Sequence, residues 1–187
     1  MPQTISQGYA VDLYFDDQTE AKILSFRNSI YEKGISPVLG KMGDKPHVSL
    51  AVFSRADPDQ LVMISEVFSK TVQSFPVQLD AVGVFPTGDN VLFLTPIPSL
   101  FLLEIHRQFH EILSQNDIQC SEHYFPGRWI PHCTLEFNLP DDQLDLALHW
   151  CRRTFTPIRG RFDKWGVVSY HPIQYLAEYP LRLQGEN

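Results

Sequence analysis

The sequence is poor in the features that mark several functional classes. Its 187 residues hold only three cysteines, Cys120, Cys133 and Cys151. An odd number without metal-like spacing fits free thiols in a reducing cytoplasm, not a disulfide framework. Cations are also scarce, 15 Lys and Arg against 22 Asp and Glu, for a net charge of −7. Long duplex nucleic acid is bound through a broad basic surface. This charge balance argues against such a partner but leaves room for a small phosphate-bearing ligand held by a few local charges. The longest apolar run, around Leu100 to Leu103, is far too short to cross a bilayer, so no membrane partner is expected. Met1 to Gly8 lacks the charged-then-apolar pattern of a leader. There is no Gly-rich loop to cradle a phosphate and no nucleophilic Ser or Cys motif. With 43% hydrophobic residues, the chain can still bury a real core without disulfides or a structural metal. A monomer is expected.

A short pattern occurs twice. Lys45-Pro46-His47-Val48-Ser49-Leu50 and Ile130-Pro131-His132-Cys133-Thr134-Leu135 both read Pro-His-x-[Ser/Thr]-Leu. Proline suits the start of a strand, where its missing N–H is spared. In an extended chain residues i and i+2 point the same way. His47 and Ser49 therefore share one face, as do His132 and Thr134. Val48, Leu50 and Val52, and Cys133, Leu135 and Phe137, turn to a core. Each copy sets an acid–base group beside a hydroxyl donor.

The flanks repeat too. Tyr9 to Phe15 alternates as a strand, with Asp12 and Tyr14 on its less apolar face. Ala21 to Lys33 has helical spacing, stopped by Gly34. Ile35 to Asp44 holds Pro37, Gly40 and Gly43 and reads as a loop into the first motif strand, His47 to Phe53. Asp57-Pro58 opens a helix, followed by strands at Val77 to Phe85 and Val91 to Thr95 about a turn at Pro86 to Asn90. Ser99 caps a helix to Gln115, and Ile118 to Trp129, strand or loop, leads to the second motif strand, His132 to Phe137. Pro140-Asp141-Asp142 begins a helix, and strands at Arg161 to Ser169 and Gln174 to Tyr179 close the chain. The order helix, loop, motif strand, helix, hairpin occurs twice. The motif histidines lie 85 residues apart, Gly83 and Gly166 83 apart, and Pro96 and Pro180 84 apart. These landmarks indicate a duplicated unit. The expected fold is α+β and bilobal, with two mainly antiparallel sheets and outer helices around a central cleft, in one domain over residues 1–187. A pseudo-twofold axis would set the two histidines opposite each other across that cleft.

The paired motifs resemble those of the 2H phosphoesterase superfamily, whose hallmark is two His-x-[Ser/Thr]-hydrophobic motifs in a bilobal duplicated fold. His47-Val48-Ser49-Leu50 and His132-Cys133-Thr134-Leu135 match that hallmark position for position. The nearest branch is the 2′-5′ RNA ligase-like and cyclic phosphodiesterase group. The resemblance implies metal-independent, cofactor-free hydrolysis, or the reverse ligation, of bonds to ribose 2′ or 3′ oxygens, with a nucleotide or RNA terminus as substrate. The chemistry stands beside it. An imidazole titrates near pH 6.5, so one histidine can act neutral and the other protonated near neutrality. Ser49 and Thr134 can donate to non-bridging phosphate oxygens. Which histidine is the acid is open at this level. The alternatives are a non-catalytic RNA-end or nucleotide-binding module, and a ligase or trimming exonuclease on the same fold.

Around the motifs, Arg128 is a candidate for phosphate, as are Lys41 and Lys45. Tyr124 and Trp129, with Phe125 nearby, are candidate stacking surfaces for a base, and Tyr14 a candidate lining of the groove. His106 and His110, four apart on one helix, form a rival constellation that could chelate zinc with His123 as a third ligand. The glutamate of a metalloprotease helix is missing between them.

Overall fold

The computed structural model describes residues 8–35 and 38–183. The leader expectation on the first seven residues, and Pro37, lie outside them. Local sequence accounts for most boundaries. Strand β1 (Gly8–Phe15) runs into helix α1 (Asp17–Tyr31), which Asp16 caps by accepting from the Thr19 N–H at 3.0 Å. Gly34 closes it at φ 88°. The segment before the first motif is not all loop, because Val38–Met42 forms a short helix, α2, whose Leu39 is buried. Strand β2 (His47–Phe53) follows, then helix α3 (Pro58–Ser69), with Asp57 as cap and proline in its first turn. Strands β3 (Phe75–Phe85) and β4 (Val91–Pro96) form the first hairpin. Ser99 caps α4 (Leu100–Gln115) through the Leu102 N–H. The stretch to the second motif is a loop with one 3-10 turn at Glu122–Tyr124. Strand β5 (Cys133–Glu136), helix α5 (Asp141–Thr154) and the hairpin β6 (Ile158–Tyr170) and β7 (Gln174–Pro180) complete the chain.

Each motif strand ends up on the edge of a sheet built largely by the other half. The strand order is β2-β1-β6-β3-β4-β5, with β7 also on β6, and every pairing is antiparallel. The two expected sheets are the halves of one connected network, because the 13-residue β6 serves both. Phe162 is the junction: it pairs with Phe15 of β1 on one edge and Phe75 of β3 on the other. Its ring stacks on Phe15 at 4.7 Å and meets Phe75 at 5.3 Å. Farther along β6, Trp165 receives Phe68 of α3 at 5.2 Å and Phe109 of α4 at 5.0 Å. Burial of these large rings dominates the core. The curled network brings its two end strands, β2 and β5, into contact with each other.

The two motif strands share a defect. Along β2 the register jumps from Ser49 opposite Asp12 to Ala51 opposite Val11, so Leu50 is the extra residue. Along β5 it jumps from Thr134 opposite Phe93 to Glu136 opposite Leu92, so Leu135 is extra. A bulge re-aims the side chains beyond it. Val52 and Phe137, expected to point into the core, are accordingly half-buried, while Ala51 and Glu136 are fully buried.

Candidate active site

The bulged strands present their first residues as the alternation requires. His47, Ser49, His132 and Thr134 are half-exposed, whereas Val48, Leu50, Cys133 and Leu135 are buried. The two imidazoles are fixed in the same way. Nδ1 of His47 donates to the Lys45 carbonyl at 2.8 Å, and Nδ1 of His132 to the Ile130 carbonyl at 2.7 Å. A proton held on Nδ1 leaves Nε2 as the ring's working nitrogen, basic when the ring is neutral and a donor when it is charged. The charge of His47 disfavours a second charge on His132.

Their surroundings differ. Behind His47 lie two carboxylates, with Asp44 Oδ2 3.4 Å from Nδ1 and Asp12 fully buried on β1. Burial opposes charge on His47, but Asp12 and Asp44 outweigh it, so the pKa is raised above 6.5. Burial also raises the Asp44 carboxyl, with the His47 charge opposing. His132 stands instead against aromatic rings, Phe85 edge-on at 4.8 Å and Phe93 at 5.3 Å. Burial lowers its pKa, and the charge of His47 adds to that, against the bond to Ile130. Asp12 and Asp44 were not singled out in the sequence. The available signal was their position, Asp12 on the strand face of Tyr14 and Asp44 three residues before His47.

A buried arginine, also missed, clasps the two motifs. Arg27 is 2% exposed on the inward face of α1, among Thr19, Ile23 and Ile30. Its guanidinium donates to the Asp44 carbonyl at 3.2 Å and the Thr134 carbonyl at 3.0 Å. A charge in the middle of an apolar helical stripe was the sequence signal.

A cleft of about 610 Å³ opens beside His132 and Thr134, and Tyr124, Arg128, Trp129 and Phe85 also line it. The family model described as "2'-5' RNA ligase superfamily" matches residues 15–173. The chain belongs to the 2′-5′ RNA ligase superfamily. That membership confirms the 2H phosphoesterase assignment suggested by the paired motifs. No curated protein matches the chain by sequence. Solved structures share the fold at low identity. E. coli LigT complexed with 3′-AMP aligns at 12% identity over 95% of this chain and 99% of its own, with a TM-score of 0.60. TT0787 of Thermus thermophilus gives 16% over 95% and 99%, also at 0.60. Kluyveromyces marxianus Usb1 with uridine monophosphate gives 16% over 96% and 100%, at 0.50.

Within this superfamily member, the remaining candidate residues fall into different places. Tyr14 does not line the groove. It is 1% exposed, its hydroxyl donates to Asp12 Oδ2 at 3.1 Å, and its ring stands edge-on behind His47 at 6.1 Å. Gly166 makes the room, since a Cβ there would meet the Tyr14 ring at 2.4 Å. Trp129 borders the cleft, but one face is stacked on His106 at 3.9 Å and its Nε1 donates to the Ser49 carbonyl at 3.0 Å. Tyr124 is half-buried at the cleft wall. Arg128 is exposed at the rim and paired with Glu122 at 2.6 Å. Lys45 is paired with Glu178 at 2.6 Å, and Lys41 is exposed on α2.

The His106–His110 pair serves the fold. Their Nε2 atoms bond the Tyr124 carbonyl at 2.9 Å and the Leu50 carbonyl at 3.0 Å, which takes those nitrogens from any metal. His123, the third ligand proposed for zinc, lies exposed on the 3-10 turn. Burial pushes the His106 pKa down to about 4, with His110 adding, and lowers that of His110 as well. Edge strand β2 thus has its outward carbonyls at Ser49, Leu50 and Val52 capped by Trp129, His110 and the Ser121 N–H. Among the described residues, no helix is long and apolar enough to cross a membrane.

Proposed function

We propose that the protein is a metal-independent phosphodiesterase that hydrolyses 2′,3′-cyclic phosphate or 2′-5′ bonds of RNA ends or small nucleotides. The observation that carries this reading is the unlike setting of two identically tethered imidazoles. Acids favour charge on His47 and apolar rings favour neutrality on His132. At neutral pH His132 Nε2 takes a proton from water as its oxygen bonds to phosphorus. His47 Nε2 gives a proton to the ribose oxygen as its bond to phosphorus breaks. Ser49 Oγ and Thr134 Oγ1 hold the non-bridging oxygens, where charge redistributes. One proton enters and one leaves, so each turnover ends with the roles reversed until solvent resets them. The nucleotides named with LigT and Usb1 are ligands of the class this site would take. Their identities of 12% and 16% support the fold alone. We place the protein in the cytoplasm, acting as a single domain.

The test is incubation of the purified protein with 2′,3′-cyclic nucleotides and 2′-5′ oligoadenylate in the presence of a chelator. Turnover that persists with chelator and disappears in both His47→Ala and His132→Ala is expected. Binding without turnover would replace the enzyme with a nucleotide-binding module, and loss of activity to the chelator would overturn metal independence.

A further inference from the structure

The lining of the cleft beside His132 includes a carboxylate that this chemistry leaves unused. Asp89, in the turn between β3 and β4, lines it together with His132 and Thr134. Its carboxylate has no hydrogen-bond or ion-pair partner among the described residues. Arg128 also lines the cleft, but its charge is taken up by Glu122.

The turn is held by the segment that joins β5 to α5. The Asp89 carbonyl accepts from the Asn138 N–H at 2.5 Å, and Asn90 Nδ2 donates to the Leu139 carbonyl at 2.9 Å and to Asp141 Oδ1 at 2.7 Å. Asn90 itself sits at φ 43°, a conformation asparagine tolerates. These bonds hold the backbone that carries the Asp89 carboxylate, which stands exposed at the cleft as an acceptor.

The rest of the cleft suits a flat heterocycle. Phe85, Phe137 and Tyr124 supply aromatic wall, and about 610 Å³ lies in the range of small-ligand pockets. Thr134 lies opposite Phe93 on β4. Asp89 is four residues earlier in the chain, at most about 13 Å along an extended strand. A nucleotide reaches that far from its phosphate to the outer edge of its base. At that edge an ionised carboxylate accepts and never donates. Guanine offers one carboxylate two adjacent donors, N1–H and the N2 amino group. Adenine and cytosine offer a single amino group there, and uracil a single N3–H.

We propose that Asp89 reads the base and selects guanine nucleotides for this site. The proposal rests on the nucleotide-processing function above and names its substrate class. It is tested by measuring kcat/KM for the 2′,3′-cyclic phosphates of guanosine, adenosine, cytidine, uridine and inosine, with the native chain and Asp89→Asn. The guanosine substrate should exceed the uridine one by about tenfold or more, the range of a good bidentate base contact. Inosine, which lacks the N2 amino group, should fall between them. Asp89→Asn should remove the guanosine advantage through KM and leave the uridine substrate within about twofold. Equal rates across bases in the native chain, or an equal loss on every base in the variant, would overturn the proposal. Should no cyclic phosphate be turned over, the hydrolase reading fails, and base selection is decided by calorimetry with guanosine and uridine 3′-monophosphates. Tighter guanosine binding that vanishes in Asp89→Asn supports it; indifferent binding, or none, ends it. The position is exposed, so the variant should keep the native circular dichroism spectrum.

Discussion

The two halves of the site use one backbone device in two chemical settings. In each, proline leads to a histidine whose Nδ1 is bound by the carbonyl two residues back. The strand bulges at the motif leucine, and a neighbouring strand glycine makes room for an aromatic ring against the histidine. Gly166 admits Tyr14 beside His47, and Gly83 admits Phe93 beside His132. The rings mark the divergence. Tyr14 carries a hydroxyl that fastens Asp12 near His47, whereas Phe93 has none and joins Phe85 in an apolar wall. The repeated motif supplies a matched pair of imidazoles; unlike neighbours favour charge on His47 and neutrality on His132.

Removing either imidazole should give the largest effect. His47→Ala and His132→Ala are each expected to lower kcat/KM by about 10²–10⁴-fold, the usual worth of a positioned acid or base. Initial rates on a cyclic nucleotide check this. An intact rate in one variant would break the pairing. The clasp between the halves comes next. Arg27→Met leaves the Asp44 and Thr134 carbonyls without their buried donor, and should cost about 2–4 kcal/mol in denaturant unfolding.

The glycines sharpen the comparison further. An added methyl would stand 2.4 Å from the Tyr14 ring at Gly166 and 2.5 Å from the Phe93 ring at Gly83. At Gly166 the added methyl would also stand 3.2 Å from the Ala177 carbonyl, so the methyl has less room to shift away from the ring. Gly166→Ala should reduce kcat by up to about 10²-fold through displacement of His47, and Gly83→Ala by less. Equal losses would mean that the two slots are equivalent.

The smallest effect is on pH dependence. His132 must be neutral to accept, so activity rises as pH climbs through its lowered pKa, below 6.5. His47 must be charged to donate, so activity falls as pH climbs through its raised pKa, above 6.5. The kcat/KM profile should be a bell with a plateau spanning pH 6.5. Asp12→Asn and Asp44→Asn should each move only the alkaline limb, to lower pH. Phe85→Ala, which lets water reach His132, should move only the acid limb, to higher pH. A variant that moves the opposite limb would reverse the assignment of acid and base.

Much of the fold was legible because its signals are local. Asp57 and Ser99 cap helices where the sequence places them, and the motif faces follow the strand alternation as far as the bulges. Alternation cannot foresee an extra residue, which turned Val52 and Phe137 partly outward and buried Glu136. Glu136 is tolerated there because Tyr31, Leu39 and Phe137 donate to its carboxylate. Arg27 was passed over because its partners are backbone carbonyls far along the chain, which carry no sequence signature. Tyr14 was misplaced for a related reason: a half-polar strand face reads as solvent-facing until Gly166 brings a buried slot against it.

The amino-acid order by itself determined the repeat, the element types and the sharing of one face by each histidine and its hydroxyl neighbour. Those features depend on residues within a few positions of one another, where backbone sterics and periodicity act. Only the tertiary structure decided that β2 and β5 lie on edges completed by hairpins of the opposite halves. It also put acids behind one histidine and aromatic rings around the other. A proton affinity is set by whatever charge and solvent lie within a few ångströms in space, and that neighbourhood exists only once distant segments have packed together.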